Sequence, residues 1–266
     1  MPEMKYTRAK DYIDALASRG RYNFDADEIT HALGASKPAT HNALARLAKQ
    51  GLIASPAKGF YVIVPPEYRS LGCLPAEQFI PALFDRKGDA YYAGLLTAAQ
   101  YYGAAHQRPQ TFQVFVAHSR KDIRCGSVKV SFIANRRIAS VPVRQFNTPR
   151  GTLKVSTPEA TAIDLVGYTD RAGGLDMVAT VLADLAEDID RDQLARLAID
   201  APTVWIQRLG YLFDHVDQHQ VSQTLLPLVA AKARDYAPLA PDRSHDNVPK
   251  DERWKIHINA SVEIDL

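Results

Sequence analysis

The sequence has little cysteine and no long apolar run. Its 266 residues contain two cysteines, Cys73 and Cys125, which are too few and too isolated for a disulfide framework or a zinc site. We therefore expect a reducing compartment, the cytoplasm, and no metal or other cofactor. No stretch approaches the roughly 18 apolar residues of a membrane span, and residues 1–20 lack the apolar segment of a signal peptide. The sequence thus predicts neither export nor membrane insertion.

Catalytic signatures are also missing. The sequence contains no HExxH, no P-loop, no Gly-x-Ser-x-Gly and no paired CxxC motif. Asp122, with Lys121 and Arg124 close by in sequence, weakly resembles part of a nuclease site, but no second carboxylate and lysine stand at a suitable spacing. We therefore expect that the protein is not an enzyme.

The net charge of +2 hides an uneven distribution along the chain. Residues 1–70 carry 10 Lys and Arg against 7 Asp and Glu, and residues 85–154 carry 12 against 3. The balance reverses over residues 155–235, with 6 basic against 13 acidic residues. Such asymmetry predicts a polyanionic partner for the basic part. The alternative is that the basic and acidic blocks face each other within one folded domain.

The first 64 residues have the pattern of three short helices followed by a hairpin. Asp25 is placed as the N-cap of the second helix, with Glu28 completing a capping box, and Gly34 ends that helix. Lys58 lies at the tip of the hairpin, and Pro66 closes the segment. This order predicts a winged helix-turn-helix, whose last helix enters the major groove of double-stranded DNA. The predicted helices span residues 7–19, 26–33 and 38–50, and the strands span 52–54 and 59–64.

The third helix presents two different faces. At about 100° per residue, one face gathers the small and apolar side chains that must pack on the other helices, namely Thr40, Ala43, Leu44, Leu47 and Ala48. The opposite face and the N-terminal end carry amide, imidazole and cationic groups, which can read base edges and bind phosphates. From this helix and the hairpin tip we predict the DNA-contacting residues Ser36, Lys37, Ala39, His41, Asn42, Arg46, Lys49 and Lys58.

The rest of the chain predicts a second domain of mixed α/β structure. The fold class is therefore α+β, with a winged helix-turn-helix over residues 1–66 and an effector domain over 67–266. The closing segment, residues 254–264, alternates apolar and polar side chains and gives the strongest strand signal in the chain. Residues 237–250 predict a surface loop. Helices are expected over 76–84, 92–102, 157–167, 176–185, 191–199, 204–215 and 223–233, and strands over 111–117, 128–134 and 138–146.

The basic block of the second domain supplies further candidate DNA contacts. Phosphate contacts from such a surface add affinity without sequence information and make binding depend steeply on salt. The alternative is a solvated basic face without a partner. The candidates in or beside predicted strands and turns are Arg120, Lys121, Arg136 and Arg137, and the same block holds Arg124, Lys129, Arg144, Arg150 and Lys154.

Six segments match a known family in order and spacing: residues 36–53 (SKPATHNALARLAKQGLI), 59–61 (GFY), 91–103 (YYAGLLTAAQYYG), 107–109 (QRP), 156–165 (STPEATAIDL) and 254–266. Together they resemble the AbiEi antitoxins of type IV toxin–antitoxin (abortive-infection, phage-defence) systems. The resemblance implies a repressor that binds inverted repeats in the promoter of its own operon. It also implies an antitoxin for a nucleotidyltransferase-like toxin, with no direct contact between the two assumed. In this family the C-terminal domain contributes to DNA binding and supplies the antitoxin activity.

Two other interpretations remain open at this point. In the first, the protein is a winged-helix transcription factor whose C-terminal domain senses a ligand, which a pocket with convergent polar groups would support. In the second, it is a DNA-processing enzyme targeted by a winged helix, which a metal-dependent cleavage assay would reveal. A nucleotidyltransferase gene immediately downstream would favour the antitoxin.

Overall fold

The chain divides into two compact units, and charge differs sharply between them. The computed structural model describes residues 6–105 and 109–264. Unit 1 comprises Met1–Tyr92, Gln110–Ala139 and Gln145–Lys154, and unit 2 comprises Ala93–Pro109, Ser140–Arg144 and Val155–Leu266. Unit 1 carries 20 Lys and Arg against 11 Asp and Glu, a net charge of +9, whereas unit 2 carries 12 against 19, a net charge of −7. The positive and negative surpluses therefore lie in different units.

Both units contain helices and strands, which confirms the predicted α+β class. The helices are α1 (Ala9–Ser18), α2 (Ala26–Leu33), α3 (Lys37–Lys49), α4 (Ala76–Asp85), α5 (Leu95–Tyr101), α6 (Pro158–Gly167), α7 (Leu175–Leu185), α8 (Arg191–Ala198), α9 (Thr203–His215), α10 (His219–Ser222) and α11 (Leu226–Lys232). The strands are β1 (Asn23–Asp25), β2 (Ile53–Ala57), β3 (Phe60–Ile63), β4 (Tyr91–Ala93), β5 (Phe112–Val116), β6 (Ile123–Cys125), β7 (Val128–Ala134), β8 (Val143–Thr148), β9 (Gly151–Ser156), β10 (Ala237–Pro238), β11 (Lys250–Asp251) and β12 (Ile256–His257). Within the described ranges, every helix is too short or too polar to cross a membrane.

Unit 1 begins with a winged helix-turn-helix. The helices α1, α2 and α3 pack around a core that contains Ile13, Ile29 and Leu44, and a three-stranded sheet in the order β1-β3-β2 covers it. The boundaries of α2 agree with the sequence prediction, because the Asp25 side chain accepts a hydrogen bond from the Glu28 amide at 2.8 Å. Strand β1 was not predicted, since three residues are too few to show a two-residue alternation.

The rest of unit 1 adds a second sheet. Strand β5 pairs in parallel with β7, and β6 pairs antiparallel with the other edge of β7. Helix α4 contacts β7, and strand β2 of the wing contacts β6. Strand β7 follows the predicted range, whereas β6 is another three-residue strand that the sequence pattern did not reveal. The compact unit that contains residues 1–66 therefore continues past residue 66, and the functional boundary placed there stays a prediction.

Arg150 joins the winged helix to this second part of unit 1. Its guanidinium lies 3.9 Å from the ring centre of Tyr22 and 5.6 Å from that of Tyr68. It also donates a hydrogen bond to the Gln78 amide oxygen and lies 3.6 Å from the Glu67 carboxylate. Only 12% of its side chain is exposed. Arg150 is thus an internal cation that packs the unit together, and not part of the solvated basic surface expected from the sequence.

Unit 2 is built mainly of helices around α6 and α9. Thr157 caps α6 by accepting a hydrogen bond from the Ala160 amide at 3.4 Å, and α6 contacts α7, α8 and α9. The buried side chains on these helices include Leu165, Leu209 and Phe213. Within this unit, Ala93 pairs in parallel with Val155. Helices α6 to α9 lie close to their predicted ranges because each shows a clear apolar face or a recognisable cap.

The long C-terminal strand predicted over residues 254–264 is wrong. Trp254 lies in a turn, and only Ile256–His257 forms a strand. This strand pairs in parallel with β10 and antiparallel with β11, over two residues each. Alternating apolar and polar side chains show only that the two faces of a segment differ. A strand also needs a partner strand of similar length. The neighbouring proline-rich segment provides only the two-residue strands β10 and β11.

Asp214 joins four side chains of unit 2. Its carboxylate accepts hydrogen bonds from Ser222 Oγ at 2.5 Å and from Trp254 Nε1 at 2.7 Å. It also lies 3.1 Å from His219 Nδ1 and 3.4 Å from Arg253 Nε. Burial by itself raises the pKa of Asp214, but the hydrogen bonds and the arginine charge outweigh burial and lower the pKa overall.

We expect Asp214 to make the stability of unit 2 sensitive to acid. Because its folded-state pKa lies below an unfolded value of about 4, its stabilisation is complete above that pH and is lost as the pH falls through the lowered pKa. Thermal unfolding of the full chain as a function of pH measures the effect. Asp214→Asn should remove this part of the pH dependence, whereas Asp217→Asn, at a carboxylate that is 95% exposed, should retain it. Identical profiles for Asp214→Asn and the unsubstituted chain would contradict the assignment.

Candidate nucleic-acid interface

Local signals in the sequence fix the start of α3. Gly34 ends α2 in the left-handed conformation at φ 59°, which glycine adopts without strain. Two residues later, the Ser36 side chain accepts a hydrogen bond from the Ala39 amide at 3.4 Å, and Pro38 occupies the first turn. This tight connection places α3 directly after α2, as a helix-turn-helix requires.

One face of α3 is buried as predicted, with one exception. Thr40, Leu44 and Leu47 are at most 6% exposed, and Ala43 is half-buried. Ala48, which was predicted to share this face, is exposed. At about 100° per residue, Ala48 lies roughly 90° from the centre of the buried stripe, so it falls at the rim of the stripe and not within it.

The opposite face of α3 is polar and open to solvent. His41, Asn42, Arg46 and Lys49 are all exposed. Within the part of the chain that the structure describes, none of these four side chains has a hydrogen bond or ion pair to another residue. Their donors and acceptors are therefore available to a ligand. Amide and guanidinium groups on an exposed helix face are the groups that read base edges in a major groove.

The N-terminal end of α3 is equally accessible. Ala39 is exposed and small, so it permits close approach to a surface. Lys37 lies 3.6 Å from the Asp27 carboxylate, but both side chains are more than 80% exposed, and such a pair contributes little and exchanges readily. Ser36 is exposed but acts as the cap, which makes its role structural in the free protein.

The wing places one lysine at its tip. Strands β2 and β3 are joined by a turn at Lys58 and Gly59, where Gly59 has φ 71° and Lys58 is exposed. The tip of the wing is held in place, since the Gly59 carbonyl accepts a hydrogen bond from the Ala26 amide at 3.2 Å. It also accepts one from Arg86 Nη1 at 3.4 Å, and Arg86 Nε lies 3.7 Å from the Asp25 carboxylate.

Two cations that the sequence placed only in the wider basic block form a cross-strand pair. Arg124 on β6 lies directly opposite Lys129 on β7, and both are exposed. Among the described residues neither has an acidic partner. Like charges in this position destabilise a sheet, so a bound polyanion would relieve the repulsion. Only strand register reveals such a pair, and register is not visible in the sequence.

The four predicted basic residues of the middle block differ in exposure. Lys121, Arg136 and Arg137 are exposed, and the Arg137 amide donates a hydrogen bond to the Asn135 side chain at 2.9 Å, which holds the turn.

Arg120, in contrast, lies half-buried against two aromatic rings. Its guanidinium is 4.4 Å from the ring centre of Phe132 and 4.9 Å from that of Phe84. Burial lowers the pKa of Arg120. Its charge is therefore engaged in packing and not presented as an open phosphate contact.

Three further observations concern the interpretations as an enzyme and as a ligand sensor. The Asp122 carboxylate accepts a hydrogen bond from the Phe132 amide at 2.9 Å, so it is used to hold β7. No group of three or more His, Cys, Asp or Glu side chains in the described ranges could hold a metal ion. A depression in unit 2 is lined mainly by apolar side chains, with Lys232 as its charged residue, and it encloses no space large enough for a water molecule. Ligand pockets are usually about 300–1,000 Å³ and carry convergent polar groups.

Comparison with known proteins gives a family model that matches part of the chain and a solved structure with a similar fold. Residues 92–215 match the family model described as the AbiEi antitoxin C-terminal domain, which confirms the resemblance inferred from the sequence; the winged helix lies outside the match. Among solved structures, the chain is similar to the RV2827C protein from Mycobacterium tuberculosis, with 18% identity, a TM-score of 0.69, and coverage of 96% of this chain and 94% of that chain. At this identity the likeness shows a shared fold. No curated protein sequence gives a significant match.

Proposed function

We propose that this chain, in which an AbiEi-like segment follows a winged helix, is a DNA-binding repressor of its own operon and the antitoxin of a type IV toxin–antitoxin system. Its partners are double-stranded DNA, with inverted repeats in its own promoter, and a nucleotidyltransferase-like toxin that it need not touch. It works in the cytoplasm, needs no cofactor and is not an enzyme.

The proposal of DNA binding rests on the open polar face of α3. Asn42 and Arg46 lie on the side opposite the buried Leu44, exposed and without partners in the described part of the chain. A winged helix places this face in the major groove. Lys58 at the wing tip then lies where it can contact the backbone or the minor groove.

The charge of unit 1 supports the same proposal. All the predicted DNA-contacting residues and the Arg124–Lys129 pair lie in unit 1, whose net charge is +9. A positive surface of this kind steers a protein towards nucleic acid and supplies phosphate contacts. Unit 2, at −7, is poorly suited to that role, and most of the segment similar to the antitoxin domain lies in it.

Two assays of the full chain test the two halves separately. A gel shift against the DNA immediately upstream of its gene, with a shuffled duplex of equal length as competitor, tests sequence-specific binding. Co-expression with the product of the gene immediately downstream tests the antitoxin. Failure to relieve growth arrest would refute the antitoxin assignment and leave DNA binding to be judged by the gel shift.

The Arg124–Lys129 pair leads to a prediction about salt. Each phosphate contact contributes about 0.9 to the slope of log K against log salt. The double variant Arg124→Gln/Lys129→Gln should therefore bind specific and shuffled DNA less tightly by similar factors, and the slope should flatten by up to about 1.8. Fluorescence anisotropy over a range of salt concentrations measures this.

A matched control removes the same charge from unit 2. Arg191→Gln/Arg196→Gln replaces two exposed arginines of α8, and it should leave the slope unchanged. Arg124→Gln/Lys129→Gln removes a repulsion between β6 and β7, so this double variant should unfold no more easily than the unsubstituted chain. An unchanged slope in a folded variant would show that this edge does not contact DNA.

A further inference from the structure

The two cysteines of the chain, 52 positions apart in sequence, come close together inside unit 1. Cys73 lies between the winged helix and α4, and Cys125 ends β6. Their neighbouring backbones are bonded to each other, since the Ser127 amide and hydroxyl both donate to the Leu71 carbonyl, at 2.8 and 3.2 Å. Both thiols are free and buried.

Two glycines allow the backbone segments that carry Cys73 and Cys125 to approach each other very closely. Gly72 and Gly126 both have positive φ, and a Cβ atom on Gly126 would lie 2.0 Å from the Leu71 carbonyl oxygen and 2.9 Å from Gly72 Cα. Cys73 directly follows Gly72 and Cys125 directly precedes Gly126, so the two cysteines lie beside this contact on the two paired segments. A disulfide requires two residues whose backbones are already close, and this geometry meets that requirement.

The environments of the two sulfurs differ, and the difference indicates which thiol reacts first. The hydrogen bond to Cys125, followed by burial, raises the pKa of Cys73. The hydrogen bond from Cys73 lowers the pKa of Cys125, and a second one from the Ser55 backbone adds to this effect against the opposing influence of burial. Cys125 is also the more accessible residue, at 8% exposed against 0% for Cys73. The thiolate that reacts first is thus Cys125.

We infer that Cys73 and Cys125 are an oxidation site, which a hydroperoxide converts into an intramolecular disulfide. The Cys125 thiolate attacks a peroxide oxygen, the O–O bond breaks, and hydroxide leaves and takes up a proton to give water. The resulting sulfenic acid is attacked by the Cys73 sulfur, which loses its proton as the S–S bond forms and a second water leaves. One hydrogen peroxide is reduced to two waters, and two thiols are oxidised to one disulfide.

The disulfide acts on the wing through Ser55. Strand β2 contacts β6, and the backbone of Ser55 on β2 lies beside the Cys125 thiol and helps to lower its pKa. The Ser55 hydroxyl also contacts the carbonyls of Ala57 and Phe60, at 3.0 and 3.1 Å, beside the turn that carries Lys58. An S–S bond brings the two sulfurs to about 2 Å and so draws the Cys125 sulfur towards Cys73 and away from the Ser55 backbone, which loosens the attachment of β2. This consequence rests on the proposed DNA binding, whereas disulfide formation does not.

The test uses the full chain, reduced and then exposed to hydrogen peroxide. Intact mass should fall by about 2 Da with loss of both thiols, peptide mapping should show a Cys73–Cys125 link, and a thiol reductant should reverse it. Oxidised protein should bind upstream DNA several-fold more weakly than reduced protein. The Cys73→Ser variant should bind like reduced protein before treatment, and it should gain oxygen at Cys125 and form no intramolecular disulfide.

The outcomes separate the inference from the proposed function. Thiols that survive peroxide, or a Cys125 that gains oxygen in the unsubstituted chain without forming a link, would overturn the oxidation site. A disulfide that forms with no change in DNA affinity would overturn its coupling to the wing. If the reduced protein fails to bind DNA at all, the proposed function is lost, while the mass measurement still decides the oxidation chemistry.

Discussion

Replacing Arg46 by alanine should weaken binding to the upstream DNA about 5- to 150-fold, because a bidentate contact to a base edge contributes about 1–3 kcal/mol. Arg46 is exposed on α3 and has no partner among the described residues, so its removal leaves no buried group unpaired. Asn42→Ala, at the neighbouring position on the same face, should have an effect of similar size. Both variants should also lose discrimination against a shuffled duplex, which competition anisotropy at fixed salt measures.

A matched control separates this effect from loss of charge. Arg196 on α8 is an exposed arginine of the acidic unit, and Arg196→Ala should bind both duplexes normally. Thermal unfolding should show that all three variants are folded. If Arg46→Ala weakens binding to both duplexes alike, Arg46 contacts phosphate and does not read bases. If neither α3 variant changes binding, α3 does not enter the groove.

The winged helix could be predicted from the sequence because local rules determine it. The Asp25 cap and the Gly34 terminator each act within four residues, and the structure places them as the sequence indicated. The exposed face of α3 follows from helical periodicity alone, once Leu44 and Leu47 are assigned to the core. Position along a single helix is therefore enough to find this part of the candidate site.

The parts that could not be predicted depend on contacts between distant segments. The Arg124–Lys129 pair requires the register of β6 on β7, and the Cys73–Cys125 contact requires two glycines to meet across 54 positions of sequence. Arg150 looks in sequence like any other cation of the basic block, but it is enclosed by Tyr22 and its neighbours. Charge composition gives no indication of which cations are used for packing.

Replacing Trp254 by alanine should cost about 3–5 kcal/mol of unfolding free energy, the range for large-to-small changes at buried aromatics. Trp254 is fully buried, and its ring packs directly on Gly210 of α9, where a Cβ atom would lie 2.1 Å from the ring. Its indole N–H donates to the Asp214 carboxylate at 2.7 Å. Trp254→Phe keeps most of the packing but loses this hydrogen bond, so it should cost about 1–3 kcal/mol. Urea unfolding of the full chain measures both losses.

A double-mutant cycle shows whether the contact with Gly210 is the cause. Gly210→Ala should destabilise the unsubstituted chain, because its new methyl group overlaps the indole ring. In the Trp254→Ala background the same substitution should be tolerated or stabilising, because the space is empty and alanine favours a helix over glycine. Such a difference is the non-additivity expected of residues in contact. Additive effects would instead mean that Trp254 stabilises unit 2 through Asp214 and not through its packing on α9.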